Sequence, residues 1–232
     1  MFSVILYLLC MITSSIALYQ LGCCCQRERV FSIYSIWKYI AFGLLCSLPI
    51  ILVYTLRYGV GYDYAAYEKY YNIIKNMPIF EYYRRHIDGI GIYYVEIGYY
   101  LLNKIAINFI VLKFIVISFI NIFLMMAAIR SRLHCGLVVF IFFCLNLAAT
   151  MNIVRFSMAL SLLLYGYIYL FTNKASKYLL CTLLAALVHK SMLSVYHLLL
   201  LKEFKSHKFS VMRDVVLLVA VLGWPVIAPY LI

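Results

Sequence analysis

The sequence predicts an all-α fold: a polytopic helical membrane protein with about six to eight transmembrane segments. Three observations predict it. Of the 232 residues, 67 % are hydrophobic and 12 % are charged, against about 45–50 % and about 25 % in a soluble domain. Apolar runs of roughly 20 residues, each long enough to cross a bilayer as a helix, recur along the chain. Lys and Arg collect in the short connections between those runs, a pattern that orients membrane helices. In lipid the backbone must satisfy its own hydrogen bonds, so the spans are expected to be helices.

The chain reads as a single integral membrane domain, 1–232, with spans at 1–21, 37–55, 109–129, 135–151, 156–171, 178–201 and 214–232. The first run lacks a basic n-region, and "SSIALYQLGCCC" lacks a small-x-small cleavage site, so it reads as a helix rather than a signal peptide. Gln20 speaks against a lipoprotein signal at "QLGC". The following connections carry Arg27 and Arg29, then Arg130 and Arg132, then Lys174 and Lys177. If the N-terminus is outside, all three lie on one side, and the positive-inside rule makes that side cytoplasmic. Segment 56–108 is then an extracytoplasmic loop; its six Lys and Arg weigh little, because long loops obey the rule weakly. Its last part, "YYVEIGYYLLNKIAI", is apolar at helical spacing and reads as an amphipathic helix at the interface.

One conflict appears. "LKEFKSHKFSVMR", with Lys202, Lys205, Lys208 and Arg213, belongs in the cytoplasm, yet span 178–201 should end outside. A re-entrant segment turning at His189, Lys190 and Ser191 removes the conflict, because non-helical backbone is tolerated at depth where protein or a water-filled cavity covers it. An ordinary span that breaks the charge rule is the other reading.

The net charge of +12 is assigned to these loops, so the expected partner is the lipid bilayer and not nucleic acid. Cys10, Cys46, Cys144 and Cys181 lie in apolar runs and read as small core residues. Cys23, Cys24 and Cys25 flank the first span with no His or second Cys pair nearby. No dense outward acidic cluster suits a divalent ion. No metal and no cofactor are expected.

Ionisable residues in or beside spans are functional candidates. Arg57 ends the second span; it is either an interfacial anchor or a fixed cation that grips phosphate with parallel hydrogen bonds. Gly59 and Gly61 mark a turn that allows positive φ. Asp63 either caps a helix beginning at Tyr64 or belongs to a site. Thirteen of the 23 tyrosines fall between Tyr54 and Tyr100. Tyr58, Tyr62, Tyr64 and Tyr67 among them suit both an aromatic belt and a platform for sugar rings. Arg155 stands near the outer end of an apolar run, with Asn152 three residues before it on the same helix face. His189 is either a hydrogen-bonded structural group or a proton carrier at a helix break. Glu96 has no basic residue nearby in sequence and is either a helix-start residue or a candidate base. On the proposed topology Arg57, Arg155 and His189 converge on the outer side.

These residues carry a resemblance. "LRYGVGYDYAAY" resembles the signature of the EpsG family, bacterial membrane proteins of the Wzy-like polysaccharide polymerase group. "EIGYYLLN" resembles that family's Glu-Pro-Gly-Phe-like segment, "NIVRFSMALSLLLY" its Arg-Gln-x-x-Ala motif, and "LLAALVHKS" its Ala-x-x-Phe-His-x-Ser motif, in the family's order. The likeness covers about residues 40–200. Ile97 stands where Pro is usual, Phe156 where Gln is usual and Val188 where Phe is usual. Family members run on well past the His motif, so the chain is expected to be a truncated or a short member.

The resemblance implies transfer of a polyprenyl-pyrophosphate-linked oligosaccharide onto a growing chain at the outer face of the bacterial cytoplasmic membrane. Arg57 and Arg155 would stabilise the charge developing on the leaving pyrophosphate. Asp63, Glu96 or His189 would take the proton of the attacking sugar hydroxyl. The tyrosines, Glu96 and Asn152 would contact substrate, and other polysaccharide-assembly proteins are candidate partners. Three alternatives stand beside this reading: a transporter or flippase for the same lipid-linked sugar, a non-catalytic assembly subunit, and an inactive fragment. The sequence shows no internal repeat of the kind transporters carry.

Overall fold

A backbone that cannot bond to lipid bonds to itself, and the described part of this chain is helical throughout, with no strand. The computed structural model describes residues 2–27, 33–61, 63–79, 81, 95–172 and 174–196. In chain order the helices are α1 (Phe2–Arg27), α2 (Ile33–Cys46), α3 (Leu48–Leu56), α4 (Tyr64–Asn76), α5 (Ile97–Ile105), α6 (Phe109–Arg130), α7 (Cys135–Asn152), α8 (Val154–Phe171) and α9 (Ala175–Val188), followed by a 3-10 turn, Lys190–Tyr196. Three of them, Ile5–Cys23 within α1, α6 and α8, are long and apolar enough to cross a membrane, and α2 with α3 makes a fourth if the bent pair is one span. This is an all-helical membrane protein. The basic stretch after residue 201 and the span expected at 214–232 lie outside the described residues.

Two expected spans are broken. The run 37–55 is a pair of helices bent by 56°. The bend falls at Ser47, and Pro49 stands in the first turn of α3; proline has no N–H to give the preceding turn, and its ring crowds that turn's carbonyl. The second break lies within α7, where Asn146 leaves helical geometry (φ −114, ψ 18). Asn146 Nδ2 donates to Phe142 O at 3.0 Å, and Thr150 Oγ1 donates to Asn146 O at 2.7 Å. Such side-chain bonds compete with the helical ladder and bend it.

Within Met1–Met192, one of the two units into which the chain divides, α6 is the hub. It packs on α2, α3, α7 and α8; α8 in turn packs on α9, and α1 on α2, α3 and α7. Small residues bring the backbones together. A Cβ at Gly136 of α7 would stand 2.1 Å from Ser15 O of α1.

The amphipathic helix expected in the outer segment is α5, and it pairs with α4. Lys75 Nζ donates to Lys104 O (3.2 Å) and Ala106 O (2.6 Å) beyond the last turn of α5, while Lys104 Nζ donates to Lys75 O of α4 (2.8 Å). Each lysine satisfies carbonyls left over at the other helix's C-terminus. Tyr71 OH donates to Ala106 O at 3.1 Å and Tyr100 OH to Met77 O at 2.9 Å. These bonds hold Tyr67 of α4 edge-on to Tyr99 of α5, with ring centres 5.9 Å apart.

Candidate functional site

The polar ends of the helices sort into two sets. At one end Arg130 of α6 lies over the rings of Tyr165 and Tyr169 of α8, and Lys177 of α9 lies over Tyr169. At the other end meet the last turn of α3, the first turns of α4, α5 and α6, the α7–α8 junction and the last residues of α9. Lys113 Nζ donates to Arg57 O at 2.7 Å, and Tyr54 OH to Thr150 O at 3.2 Å. This second end holds the candidate site.

Arg155 is in the first turn of α8, just past Ile153, which leaves helical geometry (φ −107, ψ 65). The expected helical i−3 relation to Asn152 therefore does not exist: Asn152 ends α7 on the far side of the break. What the sequence hid is a partner 59 residues away. Arg155 Nη1 forms an ion pair with Glu96 Oε2, the two side chains being 19 % and 12 % exposed. Glu96 precedes α5 at its N-cap position without capping it. Its other oxygen, Oε1, accepts from the Lys190 N–H at 3.1 Å. One carboxylate thus ties together the α5 entry, the α8 entry and the chain after α9.

The arginine is framed further. It hydrogen-bonds the phenol of Tyr67 and lies 5.9 Å from the ring centre of Tyr99. Burial pushes the Tyr67 phenol up, and Arg155 offsets part of that. His189 follows the last residue of α9 with extended backbone (φ −149, ψ 110). Its Nδ1 is 2.9 Å from Ser191 Oγ, and its ring meets Phe156 edge-on at 5.7 Å. The 14 residues of α9 rise about 21 Å, less than the roughly 30 Å of a hydrocarbon core.

Gly98 lets α5 and α9 meet closely. A Cβ there would stand 2.7 Å from Leu187 O in the last turn of α9. Gly98→Ala is expected to push α5 from α9 at a cost of about 1–3 kcal/mol, seen as a lower thermal midpoint in detergent and a weaker Glu96–Lys190 link. An unchanged midpoint would show that this contact does not position Glu96.

Arg57 is the C-cap of α3, and its guanidinium lies 4.2 Å over the Tyr54 ring. It lines a pocket with Lys113, Tyr54, Tyr64, Tyr67, Tyr99 and Val154. The pocket thus reaches from Arg57 to the residue beside Arg155, bringing the two expected arginines to one region. Gly59 and Gly61 have φ of +63 and +108, the left-handed geometry expected of the turn that follows.

The other expected residues fall as follows. Asp63 occupies the N-cap position of α4 but makes no capping hydrogen bond; its charge reaches Tyr67. Tyr64 and Tyr67 are buried in the pocket wall, whereas Tyr58 is 82 % exposed and edge-on to Tyr64 at 5.8 Å. Tyr62 and the Asn152 side chain lie outside the described residues. Lys113 was not singled out by the sequence reading. Its signal was a lysine inside the apolar run "FIVLKFIVISF", the kind of intramembrane charge that marks function by default.

A family model described as the EpsG family matches residues 40–232. The chain belongs to the EpsG family. The match includes all four motifs and reaches past them to Ile232. EpsG is a polysaccharide polymerase-like family. No curated protein and no solved structure matches the chain.

Proposed function

We propose that this EpsG chain is a multi-pass protein of a bacterial cytoplasmic (inner) membrane. It joins polyprenyl-pyrophosphate-linked oligosaccharide units in exopolysaccharide, capsule or O-antigen synthesis. The observation that carries the proposal is the convergence of Arg155, braced by Glu96, with His189 and Arg57 at one end of the helices. With Arg130, Arg132, Lys174 and Lys177 in the cytoplasm, that end faces outward. The short α9 and the break at His189 support a re-entrant segment there.

In the reaction, an acceptor sugar hydroxyl attacks the anomeric carbon of the donor. The bond from that carbon to the pyrophosphate oxygen breaks, and its electron pair leaves with polyprenyl pyrophosphate. That negative charge develops on the pyrophosphate oxygens, facing the cations Arg57 and Arg155, which are fixed beforehand by the Tyr54 ring and by Glu96. Glu96 suits bracing better than base catalysis, since both its oxygens are engaged. His189 suits the base. In the tautomer whose Nδ1–H donates to Ser191 Oγ, Nε2 carries the lone pair that takes the hydroxyl proton.

His189→Gln tests this assignment, because glutamine keeps a hydrogen-bonding side chain but accepts no proton at this pH. In a strain that depends on the gene, polymer formation is expected to fall about 10²–10⁴-fold, with the protein still present in the membrane. Wild-type polymer from the variant would remove His189 from the chemistry and favour a flippase or an assembly subunit.

A further inference from the structure

Lys113 is 6 % exposed, in the early turns of an apolar helix. Three preferences oppose it there: burial of its charge, the positive end of the helix dipole, and the nearby Arg57 guanidinium. Its ammonium meets the Arg57 carbonyl at 2.7 Å and the faces of Tyr64 and Phe109, each 5.2 Å away. Among the described residues no carboxylate lies within ion-pair distance of it; Glu68 of α4 acts only from farther off. The Arg57 carbonyl needs one donor, and an ammonium carries three. As a strut between α3 and α6, a neutral donor would serve.

The pocket beside it explains the charge. Arg57 and Lys113 both line it, and every other described residue of its lining is a tyrosine or an apolar residue, with no carboxylate among these. The enclosed room is about 10 Å³, that of a single water, so a phosphoryl group would meet these side chains at the pocket's open mouth. Two cations on one wall of such a pocket favour an anion with two charged groups. A guanidinium fork takes one phosphoryl group bidentately, and an ammonium takes a second as a point charge.

We propose that Lys113 is a second anion-holding residue of this site, which with Arg57 selects a diphosphate ester over a monophosphate ester. The proposal deepens the reading above, in which the donor is diphosphate-linked. The test measures binding without turnover, so it stands apart from the polymerase assay. The full chain in phosphatidylcholine nanodiscs is titrated with polyprenyl diphosphate and, separately, with polyprenyl monophosphate.

The wild type is expected to prefer the diphosphate about ten-fold or more, the worth of one charge-assisted contact. Lys113→Met should abolish that preference while leaving monophosphate affinity within about two-fold, since only the second phosphoryl contact is lost. Lys113→Arg should keep the preference. If Lys113→Met does not fold, Lys113→Gln takes its place. A preference retained without the ammonium, an equal loss of both ligands by a folded variant, or a wild type that does not distinguish them would each overturn the proposal. Selective diphosphate binding in a protein that lengthens no chains would uphold it while refuting the polymerase.

Discussion

Arg155→Ala is expected to abolish polymer, with lengthening reduced about 10²–10³-fold and the protein still in the membrane. The guanidinium presents several donors in one plane, so it can hold Glu96 and Tyr67 while facing a phosphoryl oxygen. Alanine removes the positive charge from the region where the leaving pyrophosphate gains negative charge. Arg155→Lys is expected to fail almost as badly, because one ammonium cannot reproduce a planar fork fixed between a carboxylate and a phenol. The readout is polymer amount and length in a strain that depends on the gene, with membrane levels checked by immunoblot. Wild-type polymer from Arg155→Ala would reduce the arginine to a structural member of an ion pair.

The second large effect is on stability. Glu96→Gln removes the counter-charge of an arginine that is 19 % exposed. Breaking a buried pair from one side leaves an uncompensated charge and costs about 3–5 kcal/mol; the partial exposure here places the expectation at about 3 kcal/mol. It should appear as a thermal midpoint lowered by several degrees. The double variant Glu96→Gln with Arg155→Gln should be more stable than Glu96→Gln alone, because neither charge is then left behind, and it should still make no polymer. If Glu96 were instead the base, Glu96→Gln would stop polymer without lowering the midpoint. The two roles therefore separate in one pair of measurements.

Several features of this fold were legible because they follow from period and composition. The apolar runs gave α6 and α8 within a few residues, the glycines gave the turn at Gly59 and Gly61, and the helical spacing in "YYVEIGYYLLNKIAI" gave α5. The breaks were harder. The run 37–55 reads as one span, although Pro49 stands at the bend before α3; Asn146 departs from helix with local side-chain bonds to its neighbours four residues away, and Ile153 carries no comparable signal.

The site was legible as residue types and not as contacts. Arg155, Glu96 and His189 stand out in the sequence as polar groups among apolar ones. That Glu96 bonds both Arg155 and the Lys190 amide depends on α5 meeting α9 at Gly98, a contact between segments about 90 residues apart. Lys113 was overlooked because an ordinary lysine near a helix end snorkels to the surface; this one is enclosed by Tyr64 and Phe109.

The central claim is that this chain lengthens a lipid-linked sugar at the end where Arg57, Arg155 and His189 meet. The most direct measurement reconstitutes the wild type and Arg155→Ala in lipid vesicles, supplies polyprenyl-pyrophosphate-linked oligosaccharide repeats, and sizes the saccharides released by mild acid. The account predicts a ladder of multiples of the repeat from the wild type, with polyprenyl pyrophosphate released in step, and single repeats alone from Arg155→Ala. Single repeats from both, with the lipid-linked unit merely moved from one leaflet to the other by the wild type, would contradict it.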